Sequence, residues 1–410
     1  MASRFFISNS AHPCTEIALD ANRIRAYYLA NGWQETATEA DADQVIVSTC
    51  AYNQQYEDAA MADLAARRAH LKPGARFVAV GCLSRINPGR FAEAGAEAVG
   101  PLELDRFDAI APGTVPMSAV HANTVRTDDY RANPFFLRLV SFKEKLERLS
   151  NKIGCDIVPD WMATIPSSDW FFIRGAVGCR GRCTYCAVRR AKGRLVSTPP
   201  GIILEQTRQA AAAGVREISL AGDDMGAWGS DIGSNLAELL AEMVRIGDGF
   251  RINLRFVEPR YFIDLIDRLA PIFETGRISA FCLPIQSGSD RILERMGRDY
   301  RIGEVETALT RFAAIGRSRP RLATIIMVGF PGETDEEYAA SCRLLDRLPI
   351  DLYQILPFEA RPDTPAAAMP DQIPDAVKAL RHDRLLRAFK LRNVVGLPGW
   401  LAARIARLPS

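Results

Sequence analysis

The sequence predicts an α/β protein in which an N-terminal parallel-sheet α/β domain precedes a partial (β/α)6 barrel. Three observations support this fold class. Short apolar, β-branched runs recur along the chain, each long enough for one buried strand. Helix-length patterns separate these runs, and strands that alternate with helices form parallel sheets covered on both faces. Six such strands follow residue 168, which suits an open relative of the eight-stranded barrel.

Composition and charge limit the class of protein. The chain has 410 residues, enough for two or three domains, and its 48% apolar content is ordinary for a globular protein. A formal charge of +2 gives no general polycation for nucleic acid, so any basic surface is local. The N-terminal apolar run is too short for a signal peptide, and no stretch approaches the roughly 20 apolar residues of a membrane span. We therefore expect no membrane partner, and nine cysteines without a secretion signal predict reduced thiols in the cytoplasm.

The first predicted domain, residues 1–100, brings three cysteines to one edge of its sheet. Its strands are predicted at 5–8, 45–50 and 77–82, with helices at 17–31 and 54–70. Cys14 follows the first strand, and Cys50 and Cys82 end the next two. Sites in parallel sheets form at the carboxyl ends of strands, so the three thiols can converge in space. Three buried structural thiols remain the alternative, because free cysteine is often buried.

The second predicted domain, residues 169–370, contains the barrel. Its strands are predicted at 170–177, 216–222, 251–257, 280–285, 321–328 and 351–357, with helices at 200–214, 234–247, 260–271, 302–316 and 334–348. Residues 101–168 are weakly patterned and are interpreted as a linker or elaboration, in which Cys155 is a bystander. Residues 371–410 are interpreted as a basic helical tail.

The segment GCRGRCTYC, directly after the first barrel strand, predicts a metal centre. Its cysteines, Cys179, Cys183 and Cys186, have the spacing C-x3-C-x2-C. Three thiolates can hold three irons of a 4Fe–4S cubane and leave the fourth iron open to a chelating small molecule. Structural zinc is the alternative, but it requires four ligands and no nearby histidine completes the set. Gly178 and Gly181 let the loop curl around the metal.

This spacing, with the aromatic Tyr185 before the third cysteine, resembles the radical S-adenosylmethionine (SAM) enzymes. The three-cysteine N-terminal domain narrows the resemblance to the radical SAM methylthiotransferases. Three segments carry it further: LPIQSGSDRILERMGRDY (283–300), IIMVGFPGETDEEY (325–338) and PFEARPDTPAAAM (357–369). In all, the resemblance covers about 1–100 and 169–392.

The resemblance implies two 4Fe–4S clusters and two uses of SAM. Cys179, Cys183 and Cys186 would hold the cluster that cleaves SAM to a radical. Cys14, Cys50 and Cys82 would hold an auxiliary cluster that carries the sulfur, which a second SAM methylates. An electron donor of the flavodoxin or ferredoxin type would reduce the enzyme.

The resemblance also implies SAM contacts at the strand ends of the barrel. The residues assigned to them are Tyr185, Gly222, Asp223, Gln286, Gly329, Gly332 and Glu333, and Asp224 could supply a carboxylate beside Asp223. Three departures from the family pattern stand out. Pro-Cys-Thr at 13–15 replaces the family's Gly-Cys pattern, AGDD at 221–224 replaces a Gly-Gln-Asn type, and LRFVEP at 254–259 replaces serines. The last two departures are expected to line the substrate pocket of the barrel. They therefore affect the expected identity of the substrate more than the expected cleavage of SAM.

The end of the chain bears on the expected substrate. Lys378, Arg381, Arg384 and Arg387 make 378–393 a basic helix, interpreted as a solvated face rather than a nucleic-acid grip. The family's terminal TRAM β-barrel is expected to be absent, because the residues after 393 are too few for it. We therefore expect a peptide or small-molecule substrate, with a transfer-RNA adenosine as the alternative. Two further hypotheses are a two-cluster radical SAM enzyme that transfers no sulfur and a non-catalytic iron–sulfur or zinc module.

Overall fold

A computed structural model describes residues 3–8, 14–126 and 170–393, with a few helical residues between 138 and 149. Cys155 and the chain after 393 lie outside the described residues, as does about half of the segment 101–168, which was interpreted as a linker. None of the helices in the described ranges combines the length and the apolar character that crossing a bilayer requires.

A five-stranded parallel sheet forms the first domain, in the order β2-β1-β3-β4-β5. Its strands are β1 (Arg4–Ser8), β2 (Gln34–Glu35), β3 (Gln44–Thr49), β4 (Arg76–Gly81) and β5 (Glu97–Val99). Its α-helices are α1 (Thr15–Ala30), α2 (Gln54–Arg68), α3 (Leu83–Ile86), α4 (Pro88–Phe91) and α5 (Phe107–Ile110). The edge strands β2 and β5 were not predicted, because two or three residues are too few for a strand pattern.

Helices α1 and α2 cover opposite faces of this sheet, since side chains alternate along each strand. Ile46 of β3 packs in one cluster with Tyr28 of α1, whereas its neighbour Val45 packs in another with Leu64 of α2. The first of these clusters includes residues as far along the chain as Val120. The packing of the first domain therefore continues beyond residue 100, the boundary predicted from the sequence.

The second sheet has seven strands, in the order β14-β13-β12-β11-β10-β7-β6. Its strands are β6 (Thr124–Arg126), β7 (Trp170–Arg174), β10 (Glu217–Ala221), β11 (Arg251–Phe256), β12 (Ile278–Gln286), β13 (Arg321–Val328) and β14 (Leu352–Pro357). A separate ribbon, β8 (Ala176–Val177) and β9 (Val196–Ser197), flanks the cysteine loop. The helices are α6 (Val188–Lys192), α7 (Pro200–Ala212), α8 (Leu236–Arg245), α9 (Pro259–Glu274), α10 (Asp290–Arg295), α11 (Ile302–Ala314), α12 (Asp335–Arg347) and α13 (Asp375–Asn393).

The six strands from β7 to β14 in this sheet are parallel, which confirms the predicted partial barrel. Strand β6 adds an antiparallel edge beside β7. It was missed because it has three residues and lies in the weakly patterned region. The single strand predicted at 170–177 is divided into β7 and β8.

The interpretation of the C-terminal helix as a solvated basic face is wrong at Arg381. This residue is 6% exposed, and its Nη1 lies 2.6 Å from Oε2 of Glu333. The sequence could not indicate that Arg381 is buried, because Glu333, the acid that pairs with it, lies 48 residues earlier in the chain. Helix α13 is therefore held to the barrel beside the end of β13.

Buried ion pairs join the two domains. Arg174 of β7 lies 2.8 Å from Asp20 of α1, and Arg361, after β14, pairs with Glu57 of α2. All four side chains are buried. Because an isolated buried charge is costly, these pairs hold the cysteine-bearing edges of the two sheets in one relative position.

The variant Arg361→Met should lower the free energy of unfolding by about 3 kcal/mol, since it leaves Glu57 short of a partner in a buried site. We expect the low end of the usual range, because Arg90 also pairs with Glu57. Arg311→Met is the matched control, as its pair with Asp267 is exposed and is worth less than about 1 kcal/mol. Denaturant unfolding of both variants would measure the difference, and equal losses would contradict the role of the buried pair.

Candidate functional site

The loop that carries Cys179, Cys183 and Cys186 presents backbone donors to its sulfur atoms. Gly181 N–H donates to Cys179 Sγ at 3.2 Å, and another backbone N–H donates to Cys186 Sγ at 3.4 Å. A Cβ at Gly181 would lie 3.3 Å from the Cys179 sulfur, so glycine leaves room beside the thiols. Burial, followed by the charge of Asp224, raises the pKa of Cys179 to about 12. Its thiolate therefore needs a cation, which iron would supply.

A buried arginine contacts the middle cysteine. Arg298 Nη1 donates to Cys183 Sγ at 3.3 Å, and its Nη2 donates to the Pro284 carbonyl at 2.6 Å. The same guanidinium lies 3.5 Å from Oε1 of Glu258. Hydrogen bonds to sulfur help to set the potential of a cluster, so the donor fits a thiolate that ligates iron. Arg298 has no role that the sequence alone reveals, because 115 residues separate it from Cys183.

The structure brings Cys14, Cys50 and Cys82 together at the carboxyl edge of the first sheet. A hydrogen bond between Cys14 and Cys50 lowers the pKa of Cys14 to about 6 despite its burial. The same bond raises the pKa of Cys50, and burial and the charges of Cys14 and Cys82 add to the effect. Cys14 and Cys50 thus lie within hydrogen-bonding reach of each other, and Cys82 lies close enough for its charge to act on Cys50.

Neither set of thiols forms a site for a single ion. Within residues 14–126 and 170–393, no three His, Cys, Asp or Glu side chains are arranged to hold one metal ion. In a cubane each thiolate binds a different iron, so its ligands lie apart around the cluster. Thiol donors of this kind, with N–H groups directed at sulfur, fit a 4Fe–4S cluster.

One buried ion pair lies between the two sets of cysteines. Lys192 Nζ is 2.7 Å from Asp223 Oδ1, and Asp223 Oδ2 accepts the N–H of Gly178 at 2.9 Å. Burial acts to lower the pKa of Lys192, but the charges of Asp223, Glu16 and the thiols of the first domain outweigh it and raise that pKa. The ammonium of Lys192 thus lies near Cys14 and Cys82 while its acid partner holds the start of the other cysteine loop.

The two adjacent aspartates that follow β10 have different hydrogen-bond partners. Asp223, predicted to contact SAM, uses both oxygens within the protein, on Lys192 and Gly178. Its neighbour Asp224 is 3% exposed, and its Oδ2 has no hydrogen-bond partner among the described residues. Burial, followed by the charge of Glu258, raises the pKa of Asp224 to about 7.

Close packing at the same strand end explains Gly222. A Cβ on this residue would lie 2.8 Å from Met225 Sδ and 3.2 Å from the Ala176 carbonyl oxygen. A larger residue would push β10 away from the ribbon strand β8 at the base of the cysteine loop.

Gln286, at the end of β12, is held in an unusual backbone conformation. Its φ is +70°, a value that non-glycine residues rarely adopt, and the side chain is buried. Its Oε1 has no hydrogen-bond partner within the described ranges. A strained, buried residue with an unpaired polar atom is typical of a ligand site.

The turn after β13 contains three further predicted residues. Gly329 and Gly332 have φ values of +72° and +78°, which favour glycine. Gly329 N–H donates to Glu333 Oε2 at 2.7 Å, and that oxygen also pairs with Arg381. The second carboxylate oxygen of Glu333 is buried and has no partner in the part of the chain that the structure describes.

Tyr185 packs into a small apolar cluster beside this turn. Its ring centre is 6.4 Å from that of Phe330, in an edge-to-face contact, and Met296 and Phe358 belong to the same cluster. The ring thus connects the cysteine loop to the turn after β13.

Family comparisons match both domains. A model of the radical SAM superfamily matches residues 173–345, and one described as uncharacterized protein family UPF0004 matches residues 10–99. A probable threonylcarbamoyladenosine tRNA methylthiotransferase from Pyrococcus horikoshii is 30% identical over 95% of this chain and 84% of its own. The Homo sapiens threonylcarbamoyladenosine tRNA methylthiotransferase is 28% identical, over 92% and 61%.

The chain is also similar to an enzyme named for a different substrate and to a solved structure. The ribosomal protein uS12 methylthiotransferase of Syntrophotalea carbinolica is 29% identical over 92% of this chain and 78% of its own. The radical SAM methyltransferase TsrM from Kitasatospora setae superposes with a TM-score of 0.60 over 90% of this chain and 75% of its own, at 14% identity, which shows the shared fold. The chain belongs to the radical SAM methylthiotransferase family, whose members are enzymes that transfer alkylthio groups.

Proposed function

We propose that this enzyme inserts a methylthio group at an unactivated carbon and uses two 4Fe–4S clusters to do so. One cluster would be held by Cys179, Cys183 and Cys186, and the other by Cys14, Cys50 and Cys82. The observation that carries the proposal is the placement of these two sets, one from each domain, around the buried pair of Lys192 and Asp223. A lone radical cluster would not need a second group of thiols at the same interface.

Bound SAM and a reduced cluster supply an oxidising radical, which is needed because acid–base side chains cannot break an unactivated C–H bond at neutral pH. The chain's own residues position these groups and exclude water. Arg298 and the loop N–H groups stabilise charge on sulfur, and Lys192 places positive charge beside the first set of thiols. An electron-donor protein of the flavodoxin or ferredoxin type belongs to the same proposal.

SAM would lie against the strand ends that carry Gly222, Gln286 and the turn from Gly329 to Glu333, with Tyr185 beside them. Of the two aspartates at the end of β10, Asp224 belongs to this set, because its buried Oδ2 can accept a hydrogen bond from the amine of SAM. Asp223 would not contact SAM itself. It holds the cysteine loop in position by accepting the N–H of Gly178.

We infer that the substrate is a transfer-RNA adenosine that carries a threonylcarbamoyl group. The Pyrococcus and human relatives are named for this substrate. The expectation of a peptide or small molecule finds no support among the relatives' names. A ribosomal protein is the second candidate, because the uS12 enzyme matches at a similar identity.

Nucleoside mass analysis of bulk transfer RNA from deletion and parent strains tests the substrate. Methylthio-threonylcarbamoyladenosine should disappear with the gene and return with the normal gene. It should also return with Cys342→Ala, which changes a cysteine of α12 outside both sets, but not with Cys50→Ala. Unchanged nucleosides in the deletion strain would overturn the transfer-RNA assignment, and a methylthio group lost from protein uS12 instead would favour the second candidate.

Arg298→Met should make the midpoint potential of the cluster at the cysteine loop more negative, because it removes a positive charge and a donor to Cys183 Sγ. Arg298→Lys keeps the charge and should shift the potential less. Redox titration followed by electron paramagnetic resonance would measure both, with exposed Arg301→Met as the control. An unchanged potential in Arg298→Met would remove Arg298 from the cluster's surroundings.

A further inference from the structure

A cavity of about 340 Å³ lies inside the partial barrel, between strands β11, β12, β13 and β14. Cys282, Ala323 and Ile325 give it a largely apolar wall, and Gln354 adds a polar group. Cys282 is two residues before Pro284 on β12, about 7 Å along the strand. Arg298 donates hydrogen bonds both to the Pro284 carbonyl and to the Cys183 sulfur. The cavity therefore lies along β12 from the cysteine loop, toward the start of the strand.

Arg255 is the one charged residue among the described residues that line this cavity. It is half-buried on β11, and no described residue forms a hydrogen bond or an ion pair with its guanidinium. Its Cζ lies 5.7 Å from the centre of the Phe256 ring, in a cation–π contact. Several buried arginines of this protein instead pair with carboxylates: Arg174, Arg298, Arg361 and Arg381.

An unpaired guanidinium in a mainly apolar cavity predicts an anionic ligand. Moving a charge out of water is costly unless a partner compensates it, and the planar fork of arginine matches the two oxygens of a carboxylate. A single cation in a cavity of this size suits one carboxylate better than a multiply charged group. The position also belongs to LRFVEP (254–259), where this chain departs from the serines of the family pattern.

We propose that Arg255 binds a carboxylate of the substrate and thereby selects carboxylate-bearing targets for methylthio transfer. The inference rests on the proposed function for the reaction itself, and it names the group on the target that this chain recognises. A threonylcarbamoyl group ends in such a carboxylate. Arg255 is thus a specificity-determining residue that orients the target beside the cysteine loop, with no bond made or broken at its own atoms.

The test uses a probe that requires no turnover. N-carbamoylthreonine and its neutral amide are titrated by calorimetry into the cluster-loaded full chain. The normal protein should bind the acid at least about tenfold more tightly than the amide, as expected for a charge-assisted, two-pronged hydrogen bond. Arg255→Gln should abolish this preference, whereas Arg255→Lys should retain part of it. Arg208→Gln changes an exposed arginine of α7 and should keep the full preference.

Two results would overturn the proposal: no preference for the acid in the normal protein, or an unchanged preference in Arg255→Gln. SAM also carries a carboxylate, so the affinity for SAM is measured on the same proteins. A loss of SAM affinity in Arg255→Gln that equals the loss for the acid would assign the arginine to SAM and contradict the proposal. Circular dichroism establishes that the variant is folded. The proposed function is tested separately, by the nucleoside mass analysis of transfer RNA, so its failure can be distinguished from failure of the binding test.

Discussion

The arrangement of this enzyme depends on one buried ion pair, Lys192 with Asp223. Its cation lies beside the thiols of the first domain, and its anion holds Gly178 at the start of the second cysteine loop. Removal of either charge would lower the stability of the protein, because the partner charge would remain buried and uncompensated. The pair therefore ties the two halves of the site to a common geometry. The buried pairs of Arg174 and Arg361 at the same interface act in the same sense.

Arginine has two different functions in this protein. Where it meets a carboxylate, as Arg361 and Arg381 do, it joins elements that are distant in the sequence. Where it also meets sulfur, as Arg298 does beside its contact with Glu258, it adjusts the charge around a thiolate. Arg255 fits neither description, since it lies in a cavity and has no hydrogen-bond or ion-pair partner among the described residues. This contrast within one chain is the reason to assign Arg255 to a ligand.

Much of the fold follows from local patterns. Six apolar runs predicted the six parallel barrel strands, and the positions of Cys50 and Cys82 directly after strands predicted thiols at the carboxyl edge of the first sheet. The sequence could not reveal which charges pair. Asp223 and Asp224 are adjacent and chemically identical, yet only the fold decides that the first is paired and the second keeps a free oxygen. For the same reason Arg381 looked like surface charge, and three-residue β6 looked like linker.

The central claim is that six cysteines hold two clusters, and iron content combined with Mössbauer spectroscopy tests it most directly. Anaerobically reconstituted protein should contain about eight irons, as two cubanes do. Replacing Cys14, Cys50 and Cys82 with alanine should leave about four irons and preserve SAM cleavage. The same replacement of Cys179, Cys183 and Cys186 should also leave about four irons but abolish cleavage. Two results would contradict the account: about four irons in the unmodified protein, or SAM cleavage that survives the replacement of Cys179, Cys183 and Cys186.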